Sequence, residues 1–321
     1  MKPKAILDCD PGHDDVMAIL LAGRTLDLQA ITTVHGNASL ANTTTNARKT
    51  VEFAGLTDIP IAAGMPRPLV RQPHYAPDVH GESGLDGPDI PPPTVPILDE
   101  HAVDVIIARS HSVPDLQLVP VGPLTNIASA LIKDPTLPAR IAGITLMGGS
   151  LTFGNVTPAA EFNIWCDPEA AHVVFTSGIP IRMIGLNVTR QVLATPEYRD
   201  RIRGMGHVST THVADMLDHY SAAEAVYTGL AGGAMHDPVA VAALAEPDIL
   251  AFEPMHVAVE LSGSLTAGMT LCDGRRLGPD MRAIPTSRPR AEGEAPNAEV
   301  AVAVDAARFW ELFLDVLATY P

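Results

Sequence analysis

Asp8-Cys9-Asp10-Pro11-Gly12-His13-Asp14-Asp15 packs four carboxylates into eight consecutive residues, between an apolar run and a second one that opens at Val16. Crowded without a counter-charge, these anions repel one another and some are pushed toward protonation. A hard divalent cation removes the conflict, and Ca²⁺ accepts roughly six to eight oxygen ligands in irregular geometry. The order of strand (Ala5–Leu7), Pro-Gly turn and helix (Val16–Ala22) puts Asp10 at the carboxyl end of a strand. Asp14 and Asp15 then fall in the first helical turn, where the dipole favours negative charge. Open α/β sheets bind their ligands at that edge. A plain capped helix start uses one or two acids and leaves the others unexplained.

Outward from this turn, strand and helix signals alternate. Leu28–Val34 reads as a second strand, Leu40–Ala54 as a helix and Ile59–Ala62 as a short strand. Met65–Pro96 has no period and is rich in Pro and Gly; a loop of that length in a compact domain is usually functional or disordered. Alternation then resumes. Asp99 is expected to cap a helix with Ala102, Val103, Ile106 and Ile107 on its apolar face. The strand Gln117–Pro120, the helix Pro123–Ile132, the strand Ile141–Met147, the helix Pro168–Thr176 and the strand Ile181–Ile184 follow. Further helices are read at Pro196–Arg203, Thr210–Tyr227 and Asp237–Ala245, and weak strands near Met255–Val259 and Met269–Leu271. Ala295–Arg308 reads as strand then helix, the helix running toward Ala318. The pattern predicts an α/β fold: one doubly wound, mostly parallel (mixed) sheet flanked by helices, with residues 1–321 forming a single domain.

Composition narrows the function. The chain has 321 residues, 46% apolar, with 21 basic and 37 acidic residues and a net charge of −16. Nucleic acid, which needs basic patches, is not an expected partner. Arg275-Arg276 is an isolated pair, and Arg282, Arg288 and Arg290 are scattered in an expected surface loop. The three cysteines, Cys9, Cys166 and Cys272, show no metal spacing and point to a reduced, cytoplasmic setting. No signal-peptide pattern and no apolar run long enough for a bilayer is read, so no membrane partner is expected.

The acidic turn has company at other strand ends. Val34-His35-Gly36-Asn37 closes the second strand, Val119–Asn126 another, and Met147-Gly148-Gly149 a third, followed by Asn155, Glu161 and Asn163. His236-Asp237 follows the Gly-rich stretch Gly229–Gly233. Singly, an Asn at a strand end is a turn residue and a His-Asp pair is a cap; together they gather at one sheet edge. These segments, spread from residue 8 to residue 237, resemble the inosine–uridine-preferring nucleoside hydrolase family. The His80-Gly81 insert and His236-Asp237 are similar to its bacterial pyrimidine-preferring branch.

The resemblance implies a Ca²⁺ held by the carboxylates of Asp10, Asp15 and Asp237 and by the main-chain carbonyl of Val121. It implies that Asp14, Asn37, Asn155, Glu161 and Asn163 bond the ribose hydroxyls, with Met147 below the sugar. Asp10 would take the proton of a water that Ca²⁺ orients, as the sugar becomes oxocarbenium-like. His236, or His80 as second candidate, would protonate the leaving base. The family pattern puts a Gln and a Tyr near the base on the helix before the Gly-rich stretch. Glu224 and Thr228 stand there, with Tyr227 beside the second slot. The implied partner is a small ribonucleoside, and relatives' habits imply a homodimer or homotetramer. Two other readings compete. A haloacid dehalogenase-type phosphatase also begins with Asp-x-Asp but needs a later Lys at a strand end. A non-catalytic Ca²⁺-dependent ribose-binding protein would have no use for a base at Asp10.

Overall fold

In the computed structural model, residues 2–274 and 295–321 are described; Arg275, Arg276, Arg282, Arg288 and Arg290 lie outside them. The first strands are β1 (Lys4–Cys9), β2 (Asp27–Thr33), β3 (Ile61–Ala63), β4 (Leu116–Pro120), β5 (Ile141–Met147) and β6 (Ile181–Ile184). The main sheet has eight strands in the order β3-β2-β1-β4-β5-β6, then Ala298–Val304, then Leu250–Met255 at the edge. All neighbours pair in parallel except that last strand, which is antiparallel to Ala298–Val304. The sheet is therefore doubly wound and mixed, as the sequence predicts.

Position of the site follows from the winding. Lys4 pairs with Asp27 on one side of β1, and Ala5 with Gln117 on the other. The chain thus winds outward in one direction through β2 and β3 and in the other through β4, β5 and β6. β1 and β4 flank the point of reversal, where an α/β sheet opens a crevice beyond its carboxyl ends. Asp10 leaves β1 there and Val121 leaves β4.

Period-two alternation along β1 sends Ala5, Leu7 and Cys9 to one core and Ile6 to the other. Helix α1 (His13–Thr25) fills the first core, with Val16 through Ala22 fully buried. The helix His236–Ala245, equally buried, packs against it. Both helices begin at the crevice, so each carries site residues in its first turn.

Several boundaries depart from expectation. Asp99 caps nothing: the helix is Ala102–Ser112, and His101 Nδ1 accepts the Val103 N–H at 3.3 Å. The loop 65–96 contains a short helix, Pro77–His80. Met255–Val259 is two strands, since Met255 ends the edge strand while Val257–Val259 pairs with Thr270–Cys272 in a separate hairpin.

Candidate active site

The acidic turn is built from the backbone outward. Asp15 folds back so that its carboxylate accepts the Asp10 N–H (3.0 Å) and the Gly12 N–H (2.9 Å), and the amide of Asn37 donates to it as well (3.0 Å). Asp10 Oδ2 accepts the Asn37 N–H at 2.7 Å, while Asp10 Oδ1 is buried without a partner. Gly36 and Gly122 close around that carboxylate; a Cβ at either would run into its oxygens. Asp14, Asp15 and Asp237 bring carboxylate oxygens within 4.8 Å of one another. Asp10 stands outside this triplet, which includes Asp14, a residue expected at the ribose.

Charge follows burial. Burial, then the neighbouring Asp15 and Asp14, hold Asp10 well above the usual carboxylate range. Asp14 and Asp237 are raised likewise, by burial first and then by their acidic neighbours. Burial lifts Asp15 only to about 6, because N–H donors oppose it. A triplet of repelling carboxylates within mutual reach, with the orphaned Oδ1 of Asp10 on the neighbouring residue of the same turn, fits a hard divalent cation.

Asp8 belongs to a different layer. Its carboxylate receives the Thr32 hydroxyl (2.6 Å) and the Asn126 amide (2.7 Å), and burial raises it to about 7. Enclosed in this way it cannot serve as the exposed nucleophile that the phosphatase reading requires.

Above the turn lies a cavity of about 700 Å³ lined by Asp14, Asn37, His80, Val121, Met147, Asn155, Glu161, Asn163, Glu224, Tyr227, Thr228, His236 and Asp237, together with Arg190 and Tyr220. Glu161 caps the helix Phe162–Cys166 and accepts N–H bonds from Gly149 (2.8 Å), Asn163 (2.8 Å) and Ile164 (3.2 Å). Burial raises its carboxyl to about 7 against those donors. The Asn163 amide ties two strand ends together, donating to the carbonyls of Val121 (2.8 Å) and Met147 (3.2 Å). A second lone pair on the Val121 carbonyl remains for another partner. Asn155 is exposed on its loop, its side-chain oxygen spent on the Val156 and Phe162 N–H groups.

Two histidines border the acidic turn. His236 is buried, with Nδ1 2.7 Å from the Thr189 hydroxyl, and burial followed by the charge of Arg190 lowers it to about 3. His80 stacks against both His13 and Tyr220, which also stack on each other, and its Nδ1 accepts the His13 N–H at 3.2 Å. His13 Nε2 in turn donates to the Asp86 carbonyl at 2.8 Å, pinning the insert to the acidic turn. Of the three expected base-pocket residues, only Glu224 keeps an unspent buried atom, Oε2. Thr228 gives its hydroxyl to the Glu224 carbonyl (2.8 Å), and Tyr227 is 62% exposed at the rim.

Sequence reasoning missed Arg190, Thr189 and Tyr220. Arg190 follows β6 and Gly185, one more strand end of the kind already singled out. Tyr220 lies one helical turn before Glu224, so that spacing carried its signal.

The sequence profile described as "Inosine-uridine preferring nucleoside hydrolase" matches residues 5–311. The chain belongs to that family. It is 42% identical over 322 residues to the inosine-uridine preferring nucleoside hydrolase of Crithidia fasciculata, covering 99% of this chain and 98% of that one. It is 39% identical, with the same coverage, to the pyrimidine-specific ribonucleoside hydrolase RihB of Escherichia coli. Among solved structures, the purine-preferring ribonucleoside hydrolase from Gardnerella vaginalis superposes with a TM-score of 0.88 at 34% identity over 98% of both chains. Family membership sets the phosphatase reading aside.

Proposed function

We propose that this nucleoside hydrolase uses a Ca²⁺ held in the acidic turn to cleave the N-glycosidic bond of ribonucleosides, with uridine and cytidine favoured, giving ribose and free base. The observation that carries the reading is the acidic cluster at the floor of a cavity whose walls are hydroxyl-binding amides and carboxylates. Asp10, Asp15, Asp237 and the Val121 carbonyl would hold the ion, with Asp14 near enough to join them. When bound, it would orient the attacking water and lower its pKa. Asp10, whose Oδ1 has no protein partner, takes the proton of that water. Asp14, Asn37, Asn155, Glu161 and Asn163 hold the ribose hydroxyls, since a buried hydroxyl left unpaired is costly. Met147 supports the sugar from below. His236, with His80 as the alternative, serves the departing base, and Glu224, Tyr227 and Thr228 border it.

The pyrimidine preference is supported by the name of one relative, the pyrimidine-specific RihB. The proposal extends to a single domain, because one sheet runs from Lys4 to Val304. It extends to a homodimer or homotetramer, and to the cytoplasm, for which Cys9, Cys166 and Cys272 being free is the support. No helix among the described residues is long and apolar enough to cross a membrane.

Ribose release from uridine, cytidine, inosine, adenosine and 2′-deoxyuridine tests the reading. A site built to bond a hydroxyl rejects the analogue lacking it by up to ~10⁴–10⁵-fold. Uridine should be cleaved and 2′-deoxyuridine hardly at all; comparable kcat/KM for the two would refute the ribose assignment. A purine preference would remove only the pyrimidine part.

A further inference from the structure

The charges lining the cavity are lopsided. Among the described residues, five carboxylates line it, Asp14, Asp78, Glu161, Glu224 and Asp237, against a single Lys or Arg side chain, Arg190. Anions suit a sugar that turns cationic. They oppose a base that leaves with the bonding electron pair.

Arg190 is held for a purpose. It directly follows the short helix Leu186–Thr189 after β6, so its backbone is fixed by the sheet. Its guanidinium carbon sits 4.9 Å above the centre of the Phe153 ring, which sets the plane of the donor fork. Its Nε is buried without a partner, as is Glu224 Oε2. The two charges feel each other, yet among the described residues neither side chain bonds the other. Two opposite charges left unpaired and partly desolvated are costly, and a polar ligand lying between them would satisfy both.

We propose that Arg190 is a further catalytic residue: its guanidinium contacts the nucleobase and takes up the negative charge that develops there as the C1′–N bond breaks, while Glu224 accepts an N–H of the same base. The inference rests on nucleoside hydrolysis as the activity. In the step, the C1′–N electron pair leaves with the base, the water oxygen bonds to C1′, and the water proton passes to Asp10. The base gains its proton from His236 or solvent. Arg190 stays protonated throughout, because a guanidinium does not lose its proton in a protein. It acts by charge and by donated hydrogen bonds. The anions of uracil and hypoxanthine spread charge onto exocyclic oxygens, which a planar donor fork matches. A p-nitrophenolate is already a stable anion and has little need of such help.

The test compares kcat for uridine and for inosine with kcat for p-nitrophenyl riboside in the wild type, Arg190→Gln and Arg190→Lys. A partly unfolded preparation lowers every rate equally and leaves the ratios unmoved. Arg190→Gln should lower both nucleoside-to-aryl ratios by ~10²-fold, the scale of losing one preorganised donor. Arg190→Lys, which keeps the charge, should stay within about tenfold of wild type. Ratios in Arg190→Gln within about threefold of an active wild type would overturn the role of Arg190 alone. A lysine variant as low as the glutamine variant would overturn the claim that charge is the cause. A wild type that releases ribose from neither nucleoside refutes the hydrolase reading, and this inference falls with it.

Discussion

At the scale of single residues, the roles proposed for Asp10 and His236 differ and should separate in kinetics. Asp10 has one carboxylate oxygen locked by Asn37 and one unspent. The hydrogen-bond partner of His236 is the Thr189 hydroxyl. Asp10→Ala is therefore expected to abolish turnover of every substrate and to weaken Ca²⁺ binding. His236→Ala should slow uridine by ~10²–10⁴-fold, the usual range for a proton donor, and hardly slow p-nitrophenyl riboside. Steady-state kinetics on both substrates, with metal content by elemental analysis, checks the pair. Equal losses on uridine and the aryl riboside in His236→Ala would move the leaving-group role to His80. A fully active Asp10→Ala would end the mechanism.

At the scale of elements, the insert between β3 and the helix Ala102–Ser112 is a wall held by side-chain and main-chain hydrogen bonds. The Asp86 carboxylate gathers the N–H groups of Glu82 (3.2 Å) and Ser83 (3.4 Å) and the Ser83 hydroxyl. The Asn46 amide fastens the Ser83 carbonyl (3.0 Å) and the Pro11 carbonyl (2.9 Å). Asp86→Ala should loosen the wall that presents His80 and spare the acidic turn. A loss of about 1–1.5 kcal/mol in hydrogen bonding corresponds to roughly a tenfold rise in KM for uridine, with kcat little changed. A drop in kcat at constant KM would mean that the insert serves the chemistry and not the base.

Legibility followed the same division. β1, α1 and the strand ends near Asn37, Val121, Met147 and Asp237 could be read because period-two and helical patterns fix them and the acids are too many for a cap. The edge of the sheet could not. Met255, Val257 and Val259 are buried in unbroken alternation across His256, so the sequence pattern continues while the chain changes sheets. The helix at Ala102 begins two residues later than an Asp cap suggests, because His101 supplies the acceptor. The contacts proposed for the ribose draw on local motifs such as Glu161 with Asn163. Those proposed for the base draw on Arg190, Glu224 and His80, each from a different element, and no local spacing relates them.

For the whole molecule, the acidic cluster makes stability depend jointly on metal and pH. Asp10, Asp14, Asp15, Asp237 and Glu161 are all held above the ordinary carboxylate range by burial, and Asp10, Asp14 and Asp237 also by their acidic neighbours. The sign follows from proton uptake. A carboxyl whose folded pKa is raised binds more protons in the folded chain than in the unfolded chain, so the metal-free protein loses stability as pH rises from about 4, the ordinary carboxylate value. Asp15, raised to about 6, and Glu161, raised to about 7, lose their share between pH 4 and pH 7. A bound divalent cation favours the ionised form of each ligand and offsets the loss. At a hundredfold excess over its dissociation constant it contributes about 2.7 kcal/mol, or on the order of 5 °C in Tm for a chain of this size. Thermal unfolding with and without chelator, at pH 5.5 and pH 8, should therefore show a Tm gap that is clearly larger at pH 8. A gap equal at the two pH values, or absent at both, would mean that the buried carboxylates are not the ligands of a stabilising ion.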